Sequence, residues 1–252
     1  MNNSEIPFLT ATELSKLMAA KEVSPVEAME AYLERIEALD GKYRAYVTVT
    51  ADAALAAAKQ AEQEIPQGNH RGPMHGVPVA VKDQINTQGI LTTGGSPVFK
   101  DNIPTSDATV IANLKAAGAV LLGKLNMTEF ATSGLSHQFD PPRNPWDLDR
   151  STGGSSTGSG AATAAFLCAT SLGEDTGGSI RNPAANCGLA GLRPSWGRVS
   201  RYGVDGACWS IDTVGPISRT VSDCAMTLGA IAGHDPRDPS SNDAPVPDYF
   251  RD

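Results

Sequence analysis

Two short clusters hold the residue types that could do chemistry. Both lie in the stretch 151–183, STGGSSTGSGAATAAFLCATSLGEDTGGSIRNP: a Gly/Ser/Thr run opens it, DTGGSIR at 175–181 closes it, and small and apolar residues with helical spacing lie between. Glycines beside serines permit close backbone approach and unusual dihedral angles. Each cluster can therefore bring a hydroxyl and a row of main-chain N–H groups to one reacting atom. A single Gly–Ser pair is ordinarily a turn and nothing more. Two such clusters around one apolar segment point to serine-nucleophile chemistry.

The residue patterns narrow that chemistry. Gly154-Ser155-Ser156-Thr157-Gly158 fits G-x-S-x-G, but the elbow it would form follows a strand and needs an acid and then a histidine downstream. Here the preceding residues form a Pro-rich loop, and only His234 follows. Gly153 to Gly158 has the glycine spacing of a phosphate loop, yet Ser159 stands where lysine is required. Gly158-Ser159-Gly160 lacks the third glycine of the dinucleotide fingerprint, with Thr163 in its place. Histidine is scarce, His70, His75 and His137 being the others, and with the elbow set aside the serine calls for another base, of which a Ser–Lys pair is the known variant. A lysine acting near neutral pH must drop from about 10.4 toward 7, an environment effect on the order of 4 kcal/mol. Lys82, at the end of the apolar run VPVAV (77–81), is the candidate, although such a lysine can also bury its stem and send its ammonium to water.

The elements that must position these residues begin with helices. Thr10 to Glu13 and Ser24 to Glu27 fit capping boxes, the second with Pro25 at the first helical position, and an Ala-rich breaker-free run covers 51–64. This predicts a helical lead-in over 1–66. Residues 77–81 and 119–123 read as buried strands, with a helix over 107–117 capped by Ser106 between them, so a β-α-β unit and an α/β sheet core over 67–233 are predicted. Loop is expected over 134–150, a small-residue helix over 160–171, a strand or hairpin at 198–202 and a helix over 221–232. The Pro- and Asp-rich tail 234–252 reads as a linker within one domain, 1–252.

Composition excludes other classes. A formal charge of −8 without a dense Lys/Arg tract argues against direct contact with nucleic acid. There is no apolar window long enough for a membrane span and no secretory signal pattern at the start. Cys168, Cys187, Cys208 and Cys224 are well separated, which predicts free thiols, no metal site and a cytoplasmic setting.

Several ordered motifs carry a resemblance. Gly76-Val77-Pro78 through Lys82-Asp83, Gly123-Lys124-Leu125-Asn126-Met127 with Glu129-Phe130, Asn144-Pro145-Trp146, GGSSTGSGAA and DTGGSIRNPA together resemble the amidase signature family over about residues 8–245. The resemblance implies an α/β fold, a mixed β-sheet core flanked by helices, and a cofactor-free hydrolase of small-molecule carboxamides with a Ser–cisSer–Lys triad. In it Ser179 is the nucleophile, Ser155 the bridging serine after a cis peptide and Lys82 the base; the 24-residue separation of the serines matches the family's. The backbone N–H groups of Thr176, Gly177, Gly178 and Ser179 would form the oxyanion hole, with Ser156, Asp175 and Arg181 as supports around them. Thr157 departs from the family, which prefers glycine there. Members are nearly twice as long, and their second half adds strands and much of the acyl pocket, so a fold incomplete at its C-terminus is expected; the segment 127–133 would line what pocket remains. The run GRVSRYG at 197–203 also resembles the glutaminase-type subunit of a tRNA-dependent amidotransferase, which would pass ammonia to partner subunits. A homodimer is the alternative assembly to such partner subunits, and a truncated, catalytically idle chain serving as a binding or structural piece is the remaining reading.

Overall fold

The structure, a computed structural model, describes residues 2–132 and 139–250; Ser133, His137 and the start of the predicted loop 134–150 lie outside the described residues. Capping chemistry sets the first helices. Thr10 Oγ1 accepts the Glu13 N–H at 3.1 Å while Glu13 accepts the Thr10 N–H at 2.8 Å, opening α1 (Ala11–Ala19). Ser24 and Glu27 do the same at 3.0 and 2.8 Å for α2 (Pro25–Tyr43). The Ala-rich run forms α3 (Ala51–Glu64), as predicted. Between α2 and α3 the chain makes a strand that the sequence reading does not place, β1 (Tyr46–Val49). Arg44 ends α2 in the left-handed region at φ 57°, and Asp40 accepts the freed N–H groups of Ala45 and Tyr46. The lead-in is thus not purely helical.

The predicted β-α-β unit is present as β2 (Pro78–Lys82), α4 (Thr109–Ala116) and β3 (Val120–Leu125), with the two strands parallel. Ser106 does not cap α4. The helix starts at Thr109 because its first N–H groups go to the chain elsewhere: Ala108 donates to the Asn86 carbonyl and Thr109 to that of Tyr202. The predicted helix 160–171 divides into α5 (Thr157–Ala164) and β4 (Thr170–Asp175), the break lying at Phe166, φ 59°. A short β5 (Ala190–Gly191) and β6 (Thr213–Ser218) complete a six-stranded sheet in the order β1-β3-β2-β4-β6-β5. The predicted strand at 198–202 reduces to one bridge, Val199 to Ala232. The predicted helix near the C-terminus is α7 (Val221–Ile231), capped by the Thr220 side chain on the Asp223 N–H.

Strands β3, β2 and β4 run parallel at the centre, while β1 and β6 flank them antiparallel. The carboxyl ends of β2 and β4 therefore lie side by side, the position at which open α/β sheets form their binding crevice. The tail is not a loose linker. The buried carboxylate of Asp235 accepts hydrogen bonds from Thr109 Oγ1 and Ser200 Oγ, Asp238 accepts the Arg201 N–H at 2.7 Å, and Arg198 meets Tyr249 Oη at 2.6 Å. Among the described residues no helix is long and apolar enough to cross a membrane.

α5 is the element that fixes the first serine cluster, and it can do so because it is made of small residues. All eight are buried. A Cβ on Gly158 would lie 2.4 Å from the Ala45 carbonyl oxygen and 2.6 Å from the Asn126 nitrogen, both backbone atoms that cannot yield cheaply. Gly158→Ala is expected to destabilise the fold by about 1–3 kcal/mol, read as a lower urea midpoint with an unchanged slope. A midpoint equal to that of the wild type would mean that α5 does not pack this closely.

Candidate active site

Lys82 is the last residue of β2 and is fully buried. Its side chain leaves the face of the sheet and ends against Ser155 and Glu174, so the four-carbon stem does not carry the ammonium to water. Its Nζ lies 2.7 Å from Ser155 Oγ, 3.3 Å from the Glu174 carbonyl oxygen and 3.4 Å from Glu174 Oε2. Burial lowers the affinity of this amine for a proton below that of an ordinary lysine, against the pull of Glu174, Asp175 and Asp212 toward the charged form.

The two serine clusters meet beside it. Ser155 sits just ahead of α5, and the Gly154–Ser155 peptide is cis. Gly153, at φ 76°, lets this loop rest on the backbone of Asn182, which a Cβ would approach to 2.8 Å. Ser156 ties both clusters to β4: its N–H donates to the Ser179 carbonyl, and its hydroxyl lies 3.4 Å from the Glu174 carbonyl and 3.4 Å from the Glu174 nitrogen. Ser179 follows β4 in the turn before the short helix α6 (Arg181–Asn186) and is half-buried. Among the described residues its hydroxyl has no hydrogen bond, and neither do the N–H groups of Thr176, Gly177 and Ser179. The Gly178 N–H is different. It donates to Asp175 Oδ1 at 2.6 Å and so is not free to hold an oxyanion.

Asp175 builds the turn that presents Ser179. Its buried carboxylate also accepts the Ile180 N–H at 3.1 Å and hydrogen bonds from both Arg181 Nε and Nη2 at 3.0 Å, and forms an ion pair with Arg193 Nε at 3.4 Å. Burial would raise this carboxyl, but the bonds from Arg181 and the two backbone N–H groups outweigh it and hold it below the ordinary carboxylate range.

Sequence reasoning misses two buried groups. Glu174 faces Lys82; burial raises its carboxyl, Lys82 opposes this and Asp212 adds to it. Lys124, in β3, is a second fully buried lysine. Its Nζ donates to the Ile85 carbonyl and to Thr92 Oγ1 at 2.8 Å and lies 3.8 Å from Asp83, so it holds the loop after β2; burial brings it down to about 8. The apolar run before Lys124 is the same signal that marks Lys82. The described histidines are engaged elsewhere, His70 with the Gly72 N–H, His75 with Arg71 and Glu64, and His234 with Ser241. All four cysteines are free, and burial pushes Cys187 up to about 12 and Cys168 to about 11, so neither is a thiolate. Among the described residues no group of three or more His, Cys, Asp or Glu is placed to hold a metal ion.

Known proteins share this fold. The family model described as Amidase matches residues 27–252. The chain is 53% identical over 247 residues to the A subunit of glutamyl-tRNA(Gln) amidotransferase from Moorella thermoacetica, covering 97% of this chain and 51% of that protein, and 55% identical to the one from Geobacter sulfurreducens with the same coverage. Among solved structures it matches native peptide amidase from Stenotrophomonas maltophilia at 38% identity and a TM-score of 0.90, over 96% of this chain and 52% of that one. It also matches the A subunit of glutamyl-tRNA(Gln) amidotransferase from Thermotoga maritima at 37% identity and a TM-score of 0.81, over 95% and 50%. The mixed sheet with flanking helices is the fold of these proteins, and the chain spans about half the length of the curated relatives it matches.

Removing the charge of Asp175 tests the turn. Asp175→Asn is expected to cost about 2–3 kcal/mol at neutral pH, because it breaks a bidentate pair at a buried carboxylate and unsettles the backbone donors around it. The folded carboxyl is lowered, so its contribution is complete above the unfolded value near about 3.9 and is lost as the pH falls below that. The gap between wild type and variant in urea unfolding should therefore close on acidification; a gap that widens there would reverse the assignment.

Proposed function

Because this chain belongs to the amidase family, we propose that it cleaves a carboxamide to a carboxylic acid and ammonia or an amine, with Ser179 as nucleophile and a Ser155–Lys82 relay as its base. The observation that carries this reading is the 2.7 Å contact between the fully buried Lys82 amine and the Ser155 hydroxyl. Uncharged Lys82 accepts the Ser155 proton as Ser155 takes the proton of Ser179, since a hydroxyl both donates and accepts. Ser179 Oγ then bonds to the amide carbon, and the carbonyl electron pair moves onto oxygen, within reach of the N–H groups of Thr176, Gly177 and Ser179. Preorganised donors of this kind are worth about 10²–10³ in turnover each. Gly178 is left out of that set, because its N–H serves Asp175. Collapse expels the amine, which collects its proton back through Ser155, and water attacking the acyl-enzyme by the same relay frees Ser179.

The identity of 53–55% to the amidotransferase relatives favours a second reading of the same chemistry. In it the chain is part of a glutaminase-type subunit whose ammonia passes to partner subunits, and stable co-purification with such partners separates it from a free-standing amidase.

Ammonia release from a panel of amides that includes glutamine tests the mechanism. Ser179→Ala and Lys82→Ala are each expected to lower it by at least about 10³-fold. For the wild type, kcat/KM should rise with pH through a midpoint below the value of an ordinary lysine, about 10.4. Release untouched by Ser179→Ala would remove both enzymatic readings, and a folded chain inert toward every amide would leave the binding-only reading.

A further inference from the structure

The hydrogen atoms around Glu174 can be counted. The Thr176 hydroxyl lies 2.6 Å from Asp212 Oδ1 and 3.1 Å from Glu174 Oε1. It has one proton to give, and the shorter contact takes it. Asp212 Oδ2 accepts the Cys208 N–H at 2.8 Å, so each Asp212 oxygen has a donor without a proton of its own. Two bare oxygens would repel at the remaining contact, which closes only when the proton comes from Glu174. On its other side Glu174 Oε2 meets donors alone, Gln84 Nε2 at 3.3 Å and Lys82 Nζ at 3.4 Å. The contacts at Lys82 accommodate this state. An uncharged amine has two protons and one lone pair; the carbonyl and Oε2 of Glu174 take the protons, and the lone pair is left for the hydroxyl of Ser155, the nearest of the three.

We propose that Glu174 is a positioning residue that carries a proton at neutral pH: donating through Thr176 toward Asp212, its carboxylic acid leaves Lys82 an uncharged amine aimed at Ser155. This rests on the reading of Lys82 as the base. Burial acts in the same direction on both members, raising the Glu174 carboxyl and lowering the Lys82 amine. The other charged groups facing the pair leave this arrangement in place. Asp175 is held by Arg181 and Arg193. The carbonyl of Asp205 receives the second Gln84 N–H, and its carboxylate is answered by Lys124. Arg201 and Arg237, which share with Glu174 and Asp212 the lining of a cavity of about 380 Å³, are paired with Asp238 and Asp235.

The test reads the two protons directly in the full chain and does not depend on turnover. Carbon-13 NMR of the Glu174 carboxyl, assigned with Glu174→Gln, should show a protonated acid at pH 7, more than two pH units above the ordinary midpoint of about 4.3. An ionised carboxylate there overturns the proposal, and if Glu174→Gln does not fold, Glu174→Asp supplies the assignment. Asp212→Asn releases the Thr176 proton to Glu174, which can then ionise, so the Lys82 Nζ midpoint read by nitrogen-15 NMR should rise by at least one pH unit. In Glu174→Gln/Asp212→Asn it should not rise, because glutamine reproduces the protonated acid. A midpoint that stays or falls in Asp212→Asn also overturns the proposal. A protonated Glu174 beside an uncharged Lys82, in a chain whose amide hydrolysis survives Ser179→Ala, would leave this pair standing and defeat the proposed function.

Discussion

The structure depends on keeping an amine out of water. Removing a charged ammonium from solvent costs several kcal/mol even after the protein relaxes, and Lys82 sits where water cannot follow, in the middle strand of a parallel trio. The constraint reaches its neighbours. Gly173 must lack a side chain, since a Cβ there would lie 2.8 Å from Ser156 Oγ. Ser156 must bridge the two serine loops, and α5 must be built of residues small enough to press against the strands. Lys82 pairs with Leu125 in the register of β2 and β3, whereas Lys124 pairs with Val81. Side chains alternate across a strand, so the two buried lysines leave opposite faces of the sheet. One meets the serines, and the other anchors the loop that follows β2.

How far the sequence discloses this arrangement depends on which forces set each part. Local chemistry is readable: a Ser or Thr three residues before a Glu dictates a helix start, and both boxes form at Thr10 and Ser24. β2 and β3 announce themselves through runs of buried aliphatic residues. β4 does not, because Thr170, Ser171, Gly173 and Glu174 are polar or small. They are stable in the core only because hydroxyls pair with hydroxyls, Thr170 with Ser218 at 2.6 Å and Thr163 with Ser171 at 2.9 Å. β6 carries Gly215 and Pro216, which ordinarily argue against an inner strand; there the Pro216 carbonyl still serves its neighbour Leu192. The tail reads as linker by composition, but buried Asp235 and Asp238 bind it to the body through contacts that no local window contains.

At the candidate site Lys82 and Ser155, which the family resemblance pairs, lie 2.7 Å apart, and what the motifs leave hidden is what Asp175 does with the turn. A carboxylate two residues before Gly177 looks like a support for the turn; only the folded backbone reveals that it takes the Gly178 N–H for itself. Glu174 escapes notice for a similar reason. In a Gly-Glu-Asp-Thr-Gly-Gly run it looks like a solvated turn residue, and its burial beside Lys82 follows from β4 lying against β2, a tertiary fact.

That adjacency of β2 and β4 has a consequence for the newly made chain. Lys82 and Glu174 stand 92 residues apart in sequence and become neighbours through parallel pairing, which can be satisfied only after a long loop has closed. Until then the lysine is a hydrated cation and the serines are ordinary alcohols. The sequestered amine and its contact with Ser155 therefore arrive together with the finished sheet, and a nascent or damaged polypeptide that has lost this pairing has neither.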